Sequence, residues 1–267
     1  MATQQATASA VSVFVHSTGT GPFLWDRIPE TVLAGTPKIA PANVGYPPNA
    51  PLARGSKTSA KEDAALVLAA IPDTATAVHL YAHSYGGYVA LELLALLGAR
   101  VASLFLYEPV LFGALAREES ADPAALAEAK FFGDNRWFLD DEERGGGEEW
   151  LATFIDYWNQ PGSFQRMPAS MQAYSRLVSW KMFQEVRACF YEASSFDGYQ
   201  LPAHTTLARG ERSPKASRAM VQALAQRHPH VTVAELAKTG HMAPLTHPAI
   251  LAEAMAAHAE RADVRSM

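Results

Sequence analysis

The stretch that most constrains the fold is Ala82-His83-Ser84-Tyr85-Gly86, which joins two runs of different character. The run before it, residues 76–81, is short, largely apolar and strand-like. The run after it, residues 88–97, is apolar enough for a buried helix. A strand that passes into a helix this quickly needs a very tight turn, so small residues are required at both ends of the turn. Such a turn holds the side chain of Ser84 out at the carboxyl end of the strand.

Strand-like and helix-like segments alternate along most of the chain. We predict strands at residues 11–15, 38–44, 77–82, 101–107, 205–208 and 231–236. We predict helices at residues 59–71, 85–97, 214–226 and 248–260. Alternation of this kind is typical of a parallel sheet with helices on both faces. The sequence therefore predicts a doubly wound α/β fold with a mainly parallel sheet.

The alternation stops between residues 110 and 201, where helix formers and aromatic residues predominate. This segment follows the predicted strand that leads into Glu108. Ligands of parallel sheets bind outside the carboxyl ends of the strands, and the segment leaves from such an end. We therefore expect a core formed by residues 1–109 and 202–267, with residues 110–201 as a helical cap. The alternative is a helical subdomain that does not contact substrate.

Composition and charge argue against several classes of protein. The net charge is −5 and the pI is near 6.0, which disfavours nucleic acid as the main partner. No apolar run approaches the roughly 20 residues that span a bilayer, and residues 1–10 lack a signal-peptide pattern. The one cysteine, Cys189, cannot form an internal disulfide and suits a reducing compartment. We expect a cytoplasmic protein that binds no nucleic acid or membrane, and the sequence leaves its oligomeric state open.

A serine presented on a strand-to-helix turn is typical of a nucleophile elbow. Its hydroxyl becomes a good nucleophile only when a base takes its proton. Nine histidines are present, and their positions favour His241, which follows the last predicted strand. This placement puts His241 at the same edge of the sheet as Ser84. The order serine, acid, histidine along the chain also fits this choice.

The acid that should orient His241 is less clearly marked. Its usual place is the loop after the strand at residues 205–208, where this chain has Ser213 at the expected acidic position. Glu211 lies in that loop but two positions early, and Glu108 ends the strand at residues 101–107. We prefer Glu108, because a carboxylate at the carboxyl end of a strand faces the site, and we keep Glu211 as the alternative.

A negative charge that develops on a carbonyl oxygen needs hydrogen-bond donors, which form an oxyanion hole. The backbone N–H of Tyr85 follows the nucleophile at a helix N-terminus and supplies one donor. The second donor is expected from the loop after the first strand, where Thr18 is favoured by position and Ser17 is the alternative.

Several further side chains are candidates for contact with substrate. We assign this role to His16, Trp25, His83, Trp137, Trp158 and Met242. The sequence contains no Cys pair, no His-x-x-x-His with an acidic partner and no dinucleotide-binding fingerprint. We therefore expect neither a metal nor a cofactor, and a small acyl compound as the partner.

Four motifs together resemble the α/β-hydrolase superfamily along essentially the whole chain. They are His16-Ser17-Thr18-Gly19 followed by Trp25, Ala82-His83-Ser84-Tyr85-Gly86-Gly87, Tyr107-Glu108-Pro109, and the run from Gly240-His241-Met242 to Pro248. The resemblance implies a serine–acid–histidine triad, a lid over an acyl pocket, and about six strands because only about ten residues precede the first strand. The chain departs from the family at Ser17, which replaces a common glycine, and at Ser213.

The leading interpretation is a serine hydrolase of carboxylic esters or related acyl compounds. Ser84 attacks, His241 transfers the proton, Glu108 orients the histidine, and the amides of Thr18 and Tyr85 hold the oxyanion. One alternative is a carbon–carbon bond hydrolase or a cofactor-free lyase on the same scaffold. A cation in the pocket would favour it, and Arg176 and Lys181 are the nearest candidates. The other alternative is a weakly catalytic ligand-binding sensor, which the missing acid at position 213 would motivate.

Overall fold

The computed structural model describes residues 9–264, with residue 34 excepted. Within this part of the chain, six strands form one sheet in the order β2-β1-β3-β4-β5-β6. The strands are Ser9–Val15 (β1), Lys38–Ile39 (β2), Ala75–His83 (β3), Val101–Tyr107 (β4), Thr205–Gly210 (β5) and Thr232–Leu236 (β6). Every neighbouring pair is parallel. The predicted α/β fold with a mainly parallel sheet of about six strands is therefore confirmed.

Helices fill the connections between the strands. They are Ala60–Ala69 (α1), Tyr85–Leu97 (α2), Phe112–Leu115 (α3), Pro123–Gly133 (α4), Arg136–Leu139 (α5), Glu148–Trp158 (α6), Ser163–Arg166 (α7), Ala169–Tyr191 (α8), Lys215–Arg227 (α9), Ala243–Thr246 (α10) and Pro248–Val264 (α11). Short 3₁₀ turns lie at Pro22–Trp25, Glu30–Leu33, Gly98–Arg100 and Phe196–Gly198. None of the helices in the described residues is long and apolar enough to cross a membrane.

Local sequence signals explain most of these bounds. Helix α1 begins after Ser59, whose side chain accepts from the Glu62 N–H while the Glu62 carboxylate accepts from the Ser59 N–H. Helix α2 ends at Gly98, which has a φ of 54°. The strand predicted at residues 38–44 is only two residues long, because Pro41 has no N–H to continue the ladder and the chain turns away as a loop.

The sheet separates two apolar cores, because side chains alternate along each strand. Val13 and Val15 of β1 point into the larger core, which also contains buried faces of α1, α2 and α9. Phe14 points into the smaller core, together with side chains of α11 and of the 3₁₀ turns near Trp25. Helices therefore cover both faces, which leaves the carboxyl edge of the sheet as the place where loops and side chains converge.

Three strands and one long connection meet at this edge. Strand β3 leads into Ser84, β4 leads into Glu108, and the loop after β6 carries His241. Helices α3 to α8 lie in the chain between β4 and β5, so the segment 110–201 leaves from the carboxyl end of β4 as the sequence indicates.

Candidate active site

Ser84 lies at the turn between β3 and α2 in a strained backbone conformation. Its φ is 57° and its ψ is −124°, which only glycine adopts at little cost. The glycines that follow are required by close packing. A Cβ on Gly86 would lie 2.5 Å from the carbonyl oxygen of Val15, and one on Gly87 would lie 2.7 Å from Pro109 Cβ. The turn is thus packed against β1 and the start of the helical segment, which holds the serine in place.

The three side chains proposed from the sequence as nucleophile, base and acid lie in one chain of hydrogen bonds. His241 Nε2 is 3.0 Å from Ser84 Oγ, and His241 Nδ1 is 2.6 Å from Glu108 Oε2. All three side chains are buried. A carboxylate only accepts, so His241 Nδ1 carries the proton and Nε2 is free to accept from the Ser84 hydroxyl. This tautomer is the one that a general base needs.

Glu108 is held by more than the histidine. Its Oε1 accepts from the Gly210 N–H at 2.6 Å, and its Oε2 accepts from the Ser217 hydroxyl at 2.8 Å. Burial acts to raise the pKa of Glu108, but the bond from His241 and the other donors outweigh burial and hold the pKa below its ordinary value. Glu108 has a φ of 49°, a second strained position in the site. The carboxylate is therefore ionised and aimed at His241.

The alternative acid does not reach the histidine. Glu211 is exposed, and its Oε2 accepts from the backbone N–H of Lys238 at 2.7 Å. Ser213, which occupies the expected acidic position, is buried beside Glu108 and contributes to lowering the pKa of that carboxyl. Of the two acids that the sequence left open, the structure brings Glu108 to His241 and leaves Glu211 at the surface.

Two rings lie close to the imidazole of His241. The Trp158 ring stacks on it with centroids 3.8 Å apart and an interplanar angle of 24°. The His83 ring is the second neighbour, tilted by 46° with centroids 4.7 Å apart. Burial, together with the nearby His241, keeps the pKa of His83 well below its ordinary value, so His83 is neutral. His241 is thus packed against a ring from α6 and a neutral ring from β3.

Thr18 and Tyr85 border the space in front of Ser84. Both line a small rear chamber together with Ser84, and Thr18 also lines a larger front chamber. Ser17 lines only the front chamber, whereas Thr18 lines both, so Thr18 is the better placed of the two candidate donors. The N–H of Gly19 is already bonded to the Tyr46 hydroxyl at 2.8 Å and is not a donor to substrate.

The two chambers meet at Ser84 but differ in size and lining. The rear chamber has a volume of about 20 Å³ and is walled by aromatic rings, namely Phe112, Phe132, Phe138, Phe154, Trp158 and Phe190. The front chamber has a volume of about 150 Å³ and reaches His241. Its wall is rich in flexible apolar side chains, including Met167, Met171, Met182, Met242 and Leu245. Most of these side chains belong to the segment between β4 and β5.

The predicted substrate-binding residues divide into two groups. Trp158 and Met242 line the chambers. Trp25 does not contact the chambers as the sequence suggested, because it is fully buried in the smaller core and packs edge-on against the Phe14 ring. The predicted substrate contact of Trp137 is also corrected, because its ring lies under the Arg144 guanidinium and borders neither chamber.

The two histidines assigned to substrate also lie away from the chambers. His16 Nδ1 is 3.0 Å from the Ser17 carbonyl oxygen, and Nε2 accepts from the Asn43 N–H at 3.0 Å. Burial lowers the pKa of His16 to about 4, so this ring is neutral and stabilises its loop through these two hydrogen bonds. His83 packs against His241 and borders neither chamber.

The cations considered as pocket residues do not enter the pocket. Arg176 is exposed and pairs with Glu148. Lys181 is completely buried, and its Nζ lies 2.5 Å from Asp63 Oδ2. Neither borders a chamber. Over the described residues, no group of three or more His, Cys, Asp or Glu side chains is arranged to hold a metal ion.

Sequence reasoning missed the side chains that support Glu108 and most of the chamber walls. Ser217 is one turn into α9 and carries no motif, and the aromatic rings could be named as a group but not assigned to a pocket. Their roles depend on how α4, α6 and α8 fold over the sheet edge. No short pattern in the sequence reports that arrangement.

Comparisons with known proteins find solved structures with the same fold. Similar solved structures include a thermophilic esterase from Thermogutta terrifontis, at 16% identity over 96% of this chain and 92% of that one, with a TM-score of 0.66. A putative aryl esterase from Burkholderia cenocepacia is 18% identical over 97% and 92%, with a TM-score of 0.66. An enol-lactonase from Burkholderia xenovorans LB400 is 15% identical over 97% and 94%, with a TM-score of 0.65.

At these identities the likeness shows the fold alone. No curated protein matches the chain. The model of the alpha/beta hydrolase family, in contrast, matches residues 13–254, which is most of the sequence. With the parallel sheet and the tight strand-to-helix turn at Ser84, this match shows that the chain belongs to the alpha/beta hydrolase family.

Proposed function

We propose that this protein is a serine hydrolase of carboxylic esters that acts through Ser84, His241 and Glu108. The observation that carries the proposal is the continuous hydrogen-bond chain from Ser84 Oγ through the imidazole to Glu108 Oε2, at 3.0 and 2.6 Å. Three groups of these types in this order are those that activate a serine for acyl transfer. The hydrolase family and the fold support the same reaction class.

The reaction follows from the geometry. His241 Nε2 takes the proton of Ser84 as Oγ bonds to the carbonyl carbon, and the amides of Thr18 and Tyr85 hold the resulting oxyanion. When the tetrahedral species collapses, His241 gives that proton to the departing alkoxide, which leaves an acyl-Ser84. Water then adds to the acyl carbon, losing a proton to His241, and the second collapse returns the proton to Ser84 and releases the acid.

The two chambers indicate which part of the ester goes where. The imidazole must return a proton to the leaving oxygen, and His241 lines only the front chamber of the two, so the alcohol belongs there. An apolar cavity of about 150 Å³ accommodates a benzene ring. The rear chamber, at about 20 Å³, takes only a short acyl group. We therefore propose esters of short acids with an apolar, ring-sized alcohol, and the helical segment 110–201 as the cap that selects them.

Names of structurally similar proteins are in keeping with this class. Two of the structures compared above are described as esterases and one as an enol-lactonase, and all three names refer to acyl–oxygen bonds. The carbon–carbon alternative lacks support, since Lys181 is paired with Asp63 instead of facing substrate. The sensor alternative was motivated by the missing acid, and Glu108 removes that motive.

The decisive experiment is the intact mass of the protein after incubation with a fluorophosphonate, followed by peptide mapping. We expect one adduct on Ser84, and its loss in His241→Ala. Absence of an adduct on folded protein, together with no turnover of p-nitrophenyl acetate, would contradict the proposal and favour the ligand-binding sensor.

Acyl-chain length tests the chamber assignment. We expect p-nitrophenyl acetate to be cleaved at least tenfold more efficiently than the octanoate, since the rear chamber is small. Phe132→Ala should reduce that preference by enlarging the rear chamber. Phe131→Ala is the matched control, because that ring is next in sequence but 65% exposed. An unchanged chain-length preference in Phe132→Ala would contradict the assignment.

A further inference from the structure

Helix α8 carries two charged side chains into the interior of the protein. Lys181 and Glu185 are one turn apart and both are fully buried. Lys181 Nζ lies 2.5 Å from Asp63 Oδ2 and 3.5 Å from Glu185 Oε1. Removing three charges from water is costly, and such groups are often no more stabilising than apolar side chains of similar volume. Stability alone therefore explains this cluster poorly, and its other contacts indicate what it does.

One arm of the cluster reaches the residue after the nucleophile. The Tyr85 hydroxyl donates to Asp63 Oδ2 at 2.6 Å, the same oxygen that pairs with Lys181. Asp63 Oδ1 accepts from the Val44 N–H at 2.8 Å, so this carboxylate cannot turn freely. Tyr85 supplies one of the two proposed oxyanion donors through its backbone. The hydrogen bond from its side chain to Asp63 thus holds the first turn of α2 in place.

The other arm reaches the loop that supplies the second donor. Glu185 Oε2 accepts from the Tyr46 hydroxyl at 2.8 Å. The Tyr46 oxygen in turn accepts from the Gly19 N–H at 2.8 Å. Gly19, the loop residue next to Thr18, is therefore bound through one hydroxyl to a carboxyl on α8.

We propose that Asp63, Lys181 and Glu185 are positioning residues that fix the distance between the two oxyanion donors, Thr18 and Tyr85. The inference rests on the proposed function and deepens it. Backbone donors stabilise the transition state only when both lie about 2.7–3.1 Å from the developing oxyanion, so a small shift of either is costly. Ion pairs and directed hydrogen bonds fix the orientation of the groups that they join. Apolar side chains at the same place would fill the space without fixing that orientation. Because two of the three charges are on α8, the helical segment sets the chemistry as well as the shape of the pocket.

Lys181→Met is the obvious variant, but it leaves two buried carboxylates without a cation and is expected to fold poorly. Tyr46→Phe is the better test. It removes one hydroxyl, keeps the ring, changes no charge, and frees the Gly19 N–H from its anchor. Tyr199→Phe is the matched control, since the Tyr199 hydroxyl also accepts from a backbone N–H, that of Ser194 at 3.0 Å, away from the two chambers.

The assays are kcat and KM for p-nitrophenyl acetate and the inhibition constant of phenylboronic acid, which adds to Ser84 and mimics the tetrahedral species. Loss of a whole oxyanion donor costs about 10²–10³ in kcat, so a displaced donor should cost about tenfold. We expect Tyr46→Phe to lower kcat and weaken phenylboronic acid by the same factor, with KM within about twofold. Tyr199→Phe should change neither, although both variants remove a tyrosine hydroxyl that accepts from a backbone N–H.

Two results would overturn the inference while the proposed function stands. In one, wild-type protein is active and Tyr46→Phe matches Tyr199→Phe in kcat and in boronate affinity. In the other, Tyr46→Phe changes KM alone, which would make the hydroxyl a contact for substrate binding. If wild-type protein itself neither turns over ester nor forms the fluorophosphonate adduct, the proposed function has failed, and the inference fails with it.

Discussion

Glu108→Gln gives the sharpest test of the site, because the amide keeps the shape of the carboxyl but reverses one hydrogen-bonding role. Three donors converge on Glu108: the Gly210 N–H, the Ser217 hydroxyl and the His241 Nδ1–H. A glutamine has a single acceptor oxygen, which the Gly210 N–H holds at 2.6 Å in the wild type. The amide nitrogen must then face His241 and donate to it. The imidazole proton therefore moves to Nε2, and a protonated Nε2 can no longer accept from the Ser84 hydroxyl.

The expected magnitude follows from that tautomer. A serine hydrolase whose histidine is held in the wrong tautomer loses about 10⁴ in kcat. This factor corresponds to about 5 kcal/mol of activation free energy. KM should change little, since Glu108 borders neither chamber. The assay is steady-state hydrolysis of p-nitrophenyl acetate, with the rate of fluorophosphonate labelling at Ser84 as a second measure.

Glu211→Gln is the matched control, since that carboxylate is exposed and accepts from the Lys238 N–H rather than from the base. It should keep wild-type kcat. Equal activities for the two Gln variants would refute the assignment of Glu108, and a loss confined to Glu211→Gln would transfer the role to that residue. Circular dichroism and the midpoint of urea unfolding should show that each variant is folded.

Three further outcomes follow from the site. Ser84→Gly should raise the free energy of unfolding by about 1 kcal/mol, because a φ of 57° with a ψ of −124° costs serine but not glycine, and urea unfolding measures the difference. Gly86→Ala should lower that free energy by about 3 kcal/mol, because its Cβ would lie 2.5 Å from the backbone of β1, whereas Gly133→Ala, whose Cβ meets ordinary contacts at 3.6 Å, should be nearly neutral. Trp158→Ala should lower kcat by about tenfold through loss of the ring stacked on the His241 imidazolium, and wild-type kcat in that variant would contradict this role.

Much of the fold was predictable because its signals are local. The helix at residues 85–97 and the strand at 101–107 have the bounds that the sequence indicates, since apolar runs and a terminal glycine or proline mark them. The strand predicted at residues 38–44 ends at Ile39, because Pro41 cannot continue the ladder and the N–H groups beyond it bond elsewhere. The N–H groups of Asn43 and Val44 are instead taken by His16 and Asp63, which lie elsewhere in the chain.

The site shows the same division. The meeting of Ser84 and His241 at one edge was predictable, because each comes after a strand and parallel strands bring their carboxyl ends together. Glu108 required knowing that β4 lies between β3 and β5, so the sequence alone left Glu211 open. Trp25 was assigned to substrate from its motif, but its distance from the site is set by the 3₁₀ turn that directs it into the smaller core. Aromatic character did not distinguish a pocket wall from a core.

Glu185 should leave a trace in the dependence of stability on pH. Burial raises its pKa from 4.5 to about 7, with Lys181 opposing and Asp63 adding to the effect. Between these values the folded protein binds a proton that the unfolded chain releases, so this group's contribution to stability is lost as the pH rises from 4.5 through about 7. At about 1.36 kcal/mol per pH unit the loss amounts to about 3 kcal/mol.

His16 acts in the opposite direction, because burial lowers its pKa to about 4 and its contribution is lost as the pH falls. The unfolding free energy of the wild type as a function of pH therefore contains the contributions of both Glu185 and His16. The difference in unfolding free energy between wild type and Glu185→Gln isolates the contribution of the carboxyl. We expect that difference, measured by urea unfolding, to move against the wild type by about 3 kcal/mol between pH 4.5 and pH 8. The corresponding difference for the exposed Glu211→Gln should be flat. A flat difference for Glu185→Gln would mean that the buried cluster holds the same charge throughout, so that proton uptake by Glu185 plays no part in how α8 holds the loop at Thr18.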